Sequence, residues 1–336
     1  MLALVTGGGG FLGRAIARQL VARGDAVRSL ARGDYPELRA EGVETVRGDV
    51  ADEAAVADAA RGCDVVFHVA AKAGVWGPPA EYRRANVDGT RAVLAACRIA
   101  KVPRLVFTSS PSVVIGADAG DIAGADESRP YPDRYATAYP QTKAEAERLV
   151  LAANSPDLLT VSLRPHLIWG PGDNHLIPRI VARARSGRLR RVGDGANRVD
   201  TIYVDNAADA HLSAADRLTP GDPAAPPAGR AYFIAQDEPT RLWDLVDGIL
   251  HAAGLPPVRR SISPRAAHLA GATLEAAYRL LHLPGEPPMT RFVAHQLSAS
   301  HWFDTSAARR DLGYAPAVST QEGLARLAAW FAAHPA

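Results

Sequence analysis

Leu2-Ala3-Leu4-Val5-Thr6 runs straight into Gly7-Gly8-Gly9-Gly10-Phe11-Leu12-Gly13, after which Ala15, Ile16, Leu20 and Val21 recur at helical spacing. The first five residues form an apolar run of strand length, and the later pattern is that of a one-sided helix. Between the two, Gly7, Gly10 and Gly13 stand three apart. Positions without side chains let the backbone turn tightly and let a pyrophosphate reach the unpaired N–H groups of a helix N-terminus; they also let that helix pack close on the strand. A glycine triplet alone also occurs in plain turns. Its place between a first strand and an amphipathic helix makes it a dinucleotide site, with Gly7, Gly10, Phe11, Leu12 and Gly13 facing the cofactor.

Outward from this stretch, strand-length runs at Ala26 to Leu30, Thr45 to Arg47, Val65 to Val69, Leu105 to Thr108 and Thr160 to Leu163 alternate with helical segments. Val87, Thr90, Leu94 and Cys97 mark one such helix, and Ala146, Leu149, Val150 and Ala153 another. Runs apolar on both faces belong to parallel strands covered by helices above and below. The fold class is therefore α/β: a Rossmann-type doubly wound parallel sheet with a smaller C-terminal substrate lobe. After Arg164-Pro165 the rhythm fails at Gly170-Pro171-Gly172-Asp173-Asn174, and Thr219 to Gly229 is rich in Pro, Gly and Ala. Residues 1–165 are expected to form the dinucleotide-binding domain, with 200–238 returning to it, and 166–199 with 239–336 the substrate lobe.

The chain of 336 residues balances 38 Lys and Arg against 36 Asp and Glu, so no charge surplus points to nucleic acid, and a small molecule is the expected partner. Its two cysteines, Cys63 and Cys97, sit in apolar segments without metal-ligand spacing. No metal site and no disulfide framework are expected, which suits a reducing, cytoplasmic setting. No stretch reads as an export signal or a transmembrane helix: Ala266 to Leu283, the least polar, is broken by His268, Glu275, Arg279 and His282.

The end of the second strand speaks to the choice of cofactor. An NAD site usually carries an acid there for the ribose 2'-hydroxyl; here Ala31 is followed by Arg32, a pair suited to a 2'-phosphate, so NADP(H) is expected. The competing reading makes Arg32 a solvated charge and gives the acid's work to Asp34. Asp49 and Val50 follow the third strand, with Asp49 placed to meet the adenine amino group, although a loop Asp also serves as a turn or cap residue.

Tyr139 and Lys143 lie one helical turn apart, on a helix that Pro140 is suited to begin. A cation beside a phenol stabilises the phenolate, so Lys143 is expected to lower the Tyr139 pKa and make it a general acid. Thr108-Ser109-Ser110 ends the fifth strand at the same sheet edge, and Ser110 is chosen to hold a carbonyl oxygen, with Ser112 the alternative. Taken singly, each of these residues is more often an ordinary surface or turn residue. Their joint order carries the reading.

That order, with Arg164-Pro165, Asn86 in Ala85-Asn86-Val87-Asp88 and Tyr203-Val204-Asp205-Asn206, resembles the extended short-chain dehydrogenase/reductase family over nearly the whole chain. Phe107-Thr108-Ser109-Ser110-Pro111-Ser112-Val113-Val114 is similar to its 3β-hydroxysteroid dehydrogenase branch. The resemblance implies that Lys143 also binds the nicotinamide ribose, that Ala70 and Ala71 line the cofactor, and that the backbone at Pro165 and His166 meets its carboxamide. Ala70-Ala71-Lys72-Ala73-Gly74-Val75-Trp76-Gly77 and Leu167-Ile168-Trp169-Gly170 resemble bacterial reductases of 2-alkyl-3-oxo acids in long-chain olefin formation. This narrower likeness implies a lipid-like β-keto acid substrate, and a homo-oligomer or pathway assembly is compatible with it. For such a substrate, Leu274, Tyr278, Leu281, Trp302 and Phe303 are the candidate apolar channel. Lys72 is the first candidate for its carboxylate, with Arg179 and Arg191 in reserve.

Overall fold

The computed structural model describes residues 1–236 and 238–334. The strands run β1 (Leu2–Thr6), β2 (Ala26–Ala31), β3 (Glu44–Arg47), β4 (Val65–His68), β5 (Arg104–Thr108), β6 (Ile122–Ala125) and β7 (Leu159–Pro165). Between them lie helices α1 (Phe11–Ala22), α2 (Pro36–Ala40), α3 (Glu53–Ala60), α4 (Pro79–Tyr82), α5 (Gly89–Ala100) and α6 (Ala138–Ala152). Among the described residues, seven strands make one sheet in the order Arg230–Ile234, β7, β5, β4, β1, β2, β3. Every pairing in it is parallel.

Alternation along each strand feeds two cores. Val5 and Phe67 pack with Ile16 and Leu20 of α1 and with Ala207 and Leu212 of the helix Val204–Arg217. Leu4 and Val66, one residue away and facing oppositely, pack with Val56 of α3, Val93 of α5 and Ala146 of α6. Cys63 and Cys97 are small apolar members of that second core. The chain fills β1, β2 and β3 on one side, then crosses back to β4 on the other. The sheet therefore opens a crevice at the carboxyl ends of β1 and β4, where ligands of such folds sit.

The strand Arg230–Ile234 pairs with β7, and the helix Val204–Arg217 packs on α1, so chain from beyond residue 200 builds part of this layer. One element departs from expectation. β6 lies within 1–165 but leaves the sheet and pairs in parallel with His301–Phe303, next to Arg198–Val199 and Thr240–Arg241. Ile122-Ala123-Gly124-Ala125 carries almost no pattern of its own; Gly124, at φ +67°, lies under the Trp302 ring, so tertiary contact decides its place. A third core, centred on Trp169, Trp243, Ile249 and Leu327, fills the smaller lobe.

The entry to α1 is tight enough to demand glycine. Gly7 has φ +73°, and a Cβ there would stand 2.9 Å from the Ala70 Cα at the end of β4. A Cβ on Gly13 would stand 2.3 Å from the Gly7 carbonyl oxygen. Backbone, not a movable side chain, blocks both positions. Gly13→Ala is expected to lower the unfolding free energy by about 1–3 kcal/mol, as overpacking does. Urea denaturation measures it, and an unchanged midpoint would show that the loop has room these distances deny.

Candidate active site

A cavity of about 760 Å³ opens at the crevice between β1 and β4. Gly7, Gly10, Phe11, Leu12 and Gly13 line it, with Arg32, Asp49, Val50, Ala70, Ala71, Pro165 and His166, and with Ser110, Tyr139 and Lys143. Every catalytic and cofactor-binding residue expected from sequence thus reaches one cavity. Gly10 caps α1 without any side-chain hydrogen bond, so the first-turn N–H groups are left for a ligand. The glycine cradle and this open helix end fit a dinucleotide pyrophosphate.

Tyr139 and Pro140 occupy the second and third positions of α6, inside the first turn, where the missing proline N–H has no partner to lose. Ser110 extends from β5 and begins a short 3₁₀ turn, Pro111–Val114. Its Oγ accepts from the Ser112 N–H at 3.2 Å and from the Ser112 hydroxyl at 2.9 Å, leaving its own proton to point elsewhere. Both serines line the cavity, with Ser112 backing Ser110.

The expected lowering of the phenol by Lys143 is not found. Burial pushes the Tyr139 pKa up, and its hydrogen bond with Ser110 opposes that rise. The Lys143 ammonium instead donates to the Thr108 carbonyl and lies 4.1 Å from the centre of the Phe107 ring. Burial lowers its pKa to about 7, against Glu147 one turn along, which raises it. Burial also brings His166 down to about 3, with His301 adding to the effect. The His166 Nδ1 donates to the Asp200 carbonyl at 2.7 Å, so this ring faces the cavity neutral.

Charges at the rim sort the remaining candidates. Arg32 lines the cavity and makes no ion pair among the described residues, whereas Asp34 pairs with Arg39 and lies outside the lining. Asp49 reaches the cavity with its carboxylate already held by Arg84 at 2.7 Å and by the Ala51 N–H at 3.0 Å. Lys72 also lines it, but is bound to Glu81 at 2.6 Å and so is not the free cation expected.

Arg179 and Arg191 stand away from the cavity, paired with Glu286 and Asp247. The expected apolar channel is not there either. Phe303 stacks on Phe233, Trp302 covers Gly124, Tyr278 meets Trp76, Leu274 is half-buried and Leu281 is exposed. The lobe presents Leu167, Ile168, His175 and Gln296 instead.

Two contributors, Tyr35 and Arg84, escape a reading by motif, and Asn86, read only as part of the resemblance, shows its role here. Tyr35 lines the cavity, and a Cβ on Gly9 would stand 2.2 Å from its ring; the extra glycine outside the triplet is the signal that something lies across the loop. Asn86 accepts from the Lys72 N–H at 2.7 Å and donates to Thr142 at 3.0 Å, tying the cavity loop to α6. Arg84, on the same π-helical turn Arg83–Asp88, meets Asp49.

With this geometry in view, residues 4–263 match the model of the 3-beta hydroxysteroid dehydrogenase/isomerase family. The chain belongs to that family. A relative within it, the 2-alkyl-3-oxoalkanoate reductase of Stenotrophomonas maltophilia, is 53% identical over 334 residues, covering 99% of this chain and 100% of the relative. The Shewanella oneidensis protein of the same name is 50% identical, covering 97% of this chain and 85% of its own. Among solved structures, MoeE5 in complex with UDP-glucose and NAD superposes with a TM-score of 0.75 at 26% identity, over 100% of both chains. As a member of the 3-beta hydroxysteroid dehydrogenase/isomerase family, and of the wider extended short-chain dehydrogenases/reductases, the protein is an oxidoreductase. No helix among the described residues is long and apolar enough to cross a membrane.

Lys143 makes a pH-dependent cost visible. Unfolded, it keeps its proton to about 10.5; folded, it releases it near 7. Between these values the unfolded chain binds more protons, so this group makes stability rise with pH, and its penalty is at full size below about 7. Lys143→Met is expected to stabilise the protein at pH 7, with an advantage that shrinks by up to roughly 1.4 kcal/mol per pH unit up to about 10.5. Urea titrations across that range measure it, and a constant difference would show that Lys143 stays charged in the fold.

Proposed function

We propose that the protein reduces the 3-oxo group of a 2-alkyl-3-oxo acid to the 3-hydroxy acid with NADPH, as a step of long-chain olefin formation in the cytoplasm. The observation that carries this is the meeting of Ser110, Tyr139 and Lys143 at the cavity opened by the glycine loop, in a chain 53% identical to a relative of that name. Residues 1–165 with 200–238 hold the cofactor, and 166–199 with 239–336 take the acyl part.

A nicotinamide held there in its reduced form would supply hydride to the carbonyl carbon and leave oxidised. Ser110, whose oxygen is occupied by Ser112, turns its O–H to the carbonyl oxygen. Tyr139, kept protonated by burial, donates its proton to that oxygen as charge develops there. Lys143, on the same cavity wall, would hold the nicotinamide ribose, and the phenolate regains its proton from solvent. The carbonyl becomes the alcohol, and one proton is taken from solvent. Leu167, Ile168 and Ile115 offer apolar wall for the alkyl arms.

NADP rather than NAD is favoured by Arg32, which makes no ion pair among the described residues and stands at the rim beside the small Ala31, while the nearby acid Asp34 is paired with Arg39. MoeE5 carries NAD, so this preference rests on the chain's own residues.

Turnover is expected to rise with alkyl-arm length, since each buried methylene contributes about 0.8 kcal/mol, nearly fourfold in kcat/KM per carbon until the cavity is full. Tyr139→Phe is expected to lower kcat roughly 10²- to 10⁴-fold with every substrate. The measurement follows NADPH absorbance with 3-oxo acids of increasing arm length, a steroid and a nucleotide sugar. A flat series, or faster turnover of either alternative, overturns the substrate while leaving the oxidoreductase chemistry.

For the cofactor, Ala31→Asp with Arg32→Ala removes a cation from the 2'-phosphate and adds an acceptor for the 2'-hydroxyl. A charge-assisted contact contributes about 1.5–3 kcal/mol, so NADPH affinity is expected to fall roughly 10- to 150-fold relative to NADH. Equal affinity of the native chain for both cofactors, read by fluorescence titration, overturns the assignment.

A further inference from the structure

Four of the large exposed apolar side chains, Leu269, Leu280, Leu281 and Leu283, are 68, 78, 68 and 41% exposed and gather between positions 269 and 283. Leu269 and Leu280 lie about three helical turns apart on the helix Pro264–Leu280 and so project from the same side; Leu281 and Leu283 follow in the turn. The helix is firmly docked by its other side. A Cβ on Gly271 would stand 2.6 Å from the Thr290 backbone, and the buried Glu275 carboxylate takes the Arg291 N–H at 2.8 Å and its Nε at 3.0 Å. The leucines are thus the outer face of a rigid element.

Around them cations predominate. Arg259, Arg260, Arg265 and Arg279 are exposed, while of the neighbouring carboxylates Glu275 is turned inward and paired and Glu286 is held by Arg179 at 2.6 Å. An apolar face with a basic margin is the pattern of a helix lying in a membrane interface. The helix end that carries Leu280 and Leu281 also adjoins the cavity mouth, through its docked side. Tyr278 stands edge-on to Trp76 at 6.4 Å, and the Arg279 guanidinium lies 4.9 Å from the Trp76 ring. The same loop carries Ala71, Lys72 and Ala73 into the cavity wall.

We propose that this face seats the protein on an anionic lipid bilayer. The leucines enter the boundary between headgroups and acyl chains, and the arginines meet lipid phosphates. The surface is held beside the cavity mouth, so that a two-armed acid enters from the bilayer without passing through water; this last step rests on the substrate proposed above. Exposed leucines alone would suit a second copy of the chain equally well. The excess of arginines in the margin opposes that, because two copies of it would repel.

The test is sedimentation of the full chain with vesicles of equal phosphatidylglycerol and phosphatidylcholine, and with vesicles of phosphatidylcholine alone. The native chain is expected to pellet with the anionic vesicles and to release as salt is raised. Leu280→Glu with Leu281→Glu is expected to lower partitioning about tenfold or more, by placing charge in the apolar boundary. Arg260→Glu with Arg265→Glu is expected to weaken it on anionic vesicles while leaving the phosphatidylcholine result unchanged. Both positions are exposed, so melting temperature and turnover of a short-armed, water-soluble substrate are expected to stay as in the native chain.

A native chain that remains in the supernatant with anionic vesicles overturns the proposal, as does equal pelleting by Leu280→Glu with Leu281→Glu. So does gel filtration showing a native dimer that this variant splits, with no vesicle binding, since the face is then covered by a second copy. Sedimentation needs no substrate, so its result stands or falls apart from the compound the cavity reduces.

Discussion

Glu147 keeps a negative charge where no water reaches it, its side chain being 0% exposed. The Arg164 Nη2 meets it at 2.7 Å, the Ser162 hydroxyl at 2.7 Å and the Tyr131 hydroxyl at 2.7 Å. Burial pushes this carboxyl up, and Arg164 with the hydroxyl donors more than reverses it, so it stays ionised. Removing one half of such a pair strands the other and costs about 3–5 kcal/mol, far more than the intact pair adds. The cluster joins α6 to β7, and α6 carries Lys143 one turn before Glu147 and Tyr139 one turn before that. The height of the acid-base residues above the sheet is thus set by an ion pair that lies outside the cavity they line.

Charge is distributed unevenly along the cavity. At one end Tyr139, Lys143 and His166 are all moved by burial toward their uncharged forms. At the other, Arg32 is an exposed cation without an ion pair among the described residues, and Arg84 lies against Asp49. The NADP proposed above is polar in the same sense, its 2'-phosphate adding charge to the adenosine half. An electrostatic gradient of this kind selects the cofactor's direction before any close contact forms.

Much of the first half could be read because its signals are local. The β1–Gly7–α1 stretch, the Tyr139 to Lys143 spacing and the strand-end Ser110 each declare themselves within a few residues, and the structure brings all of them to one cavity. What could not be read depends on partners distant in sequence. Lys143 turns to the Thr108 carbonyl rather than the phenol because β5 passes beneath it, and Lys72 is neutralised by Glu81 because α4 folds back over the loop. Trp302 and Phe303 looked like channel material because an aromatic pair in a strand has no sign of which face it serves; Gly124 and Phe233 decide that. Tyr35 was marked only by a glycine too many.

The pairing of β6 with His301–Phe303 joins positions on either side of the whole second half of the chain. The parallel sheet is likewise unfinished until Arg230–Ile234 has been laid beside β7. On a ribosome, the first six strands of the large sheet can collapse early, yet its last edge and the lobe's sheet both wait for segments synthesised late. Closure of loops this long is entropically slow, and until it happens β6 and the β7 edge stay open to wrong pairings. Order along the chain and order of assembly therefore diverge in this protein: the nucleotide cradle is made first, and the roof over it is among the last parts to become permanent.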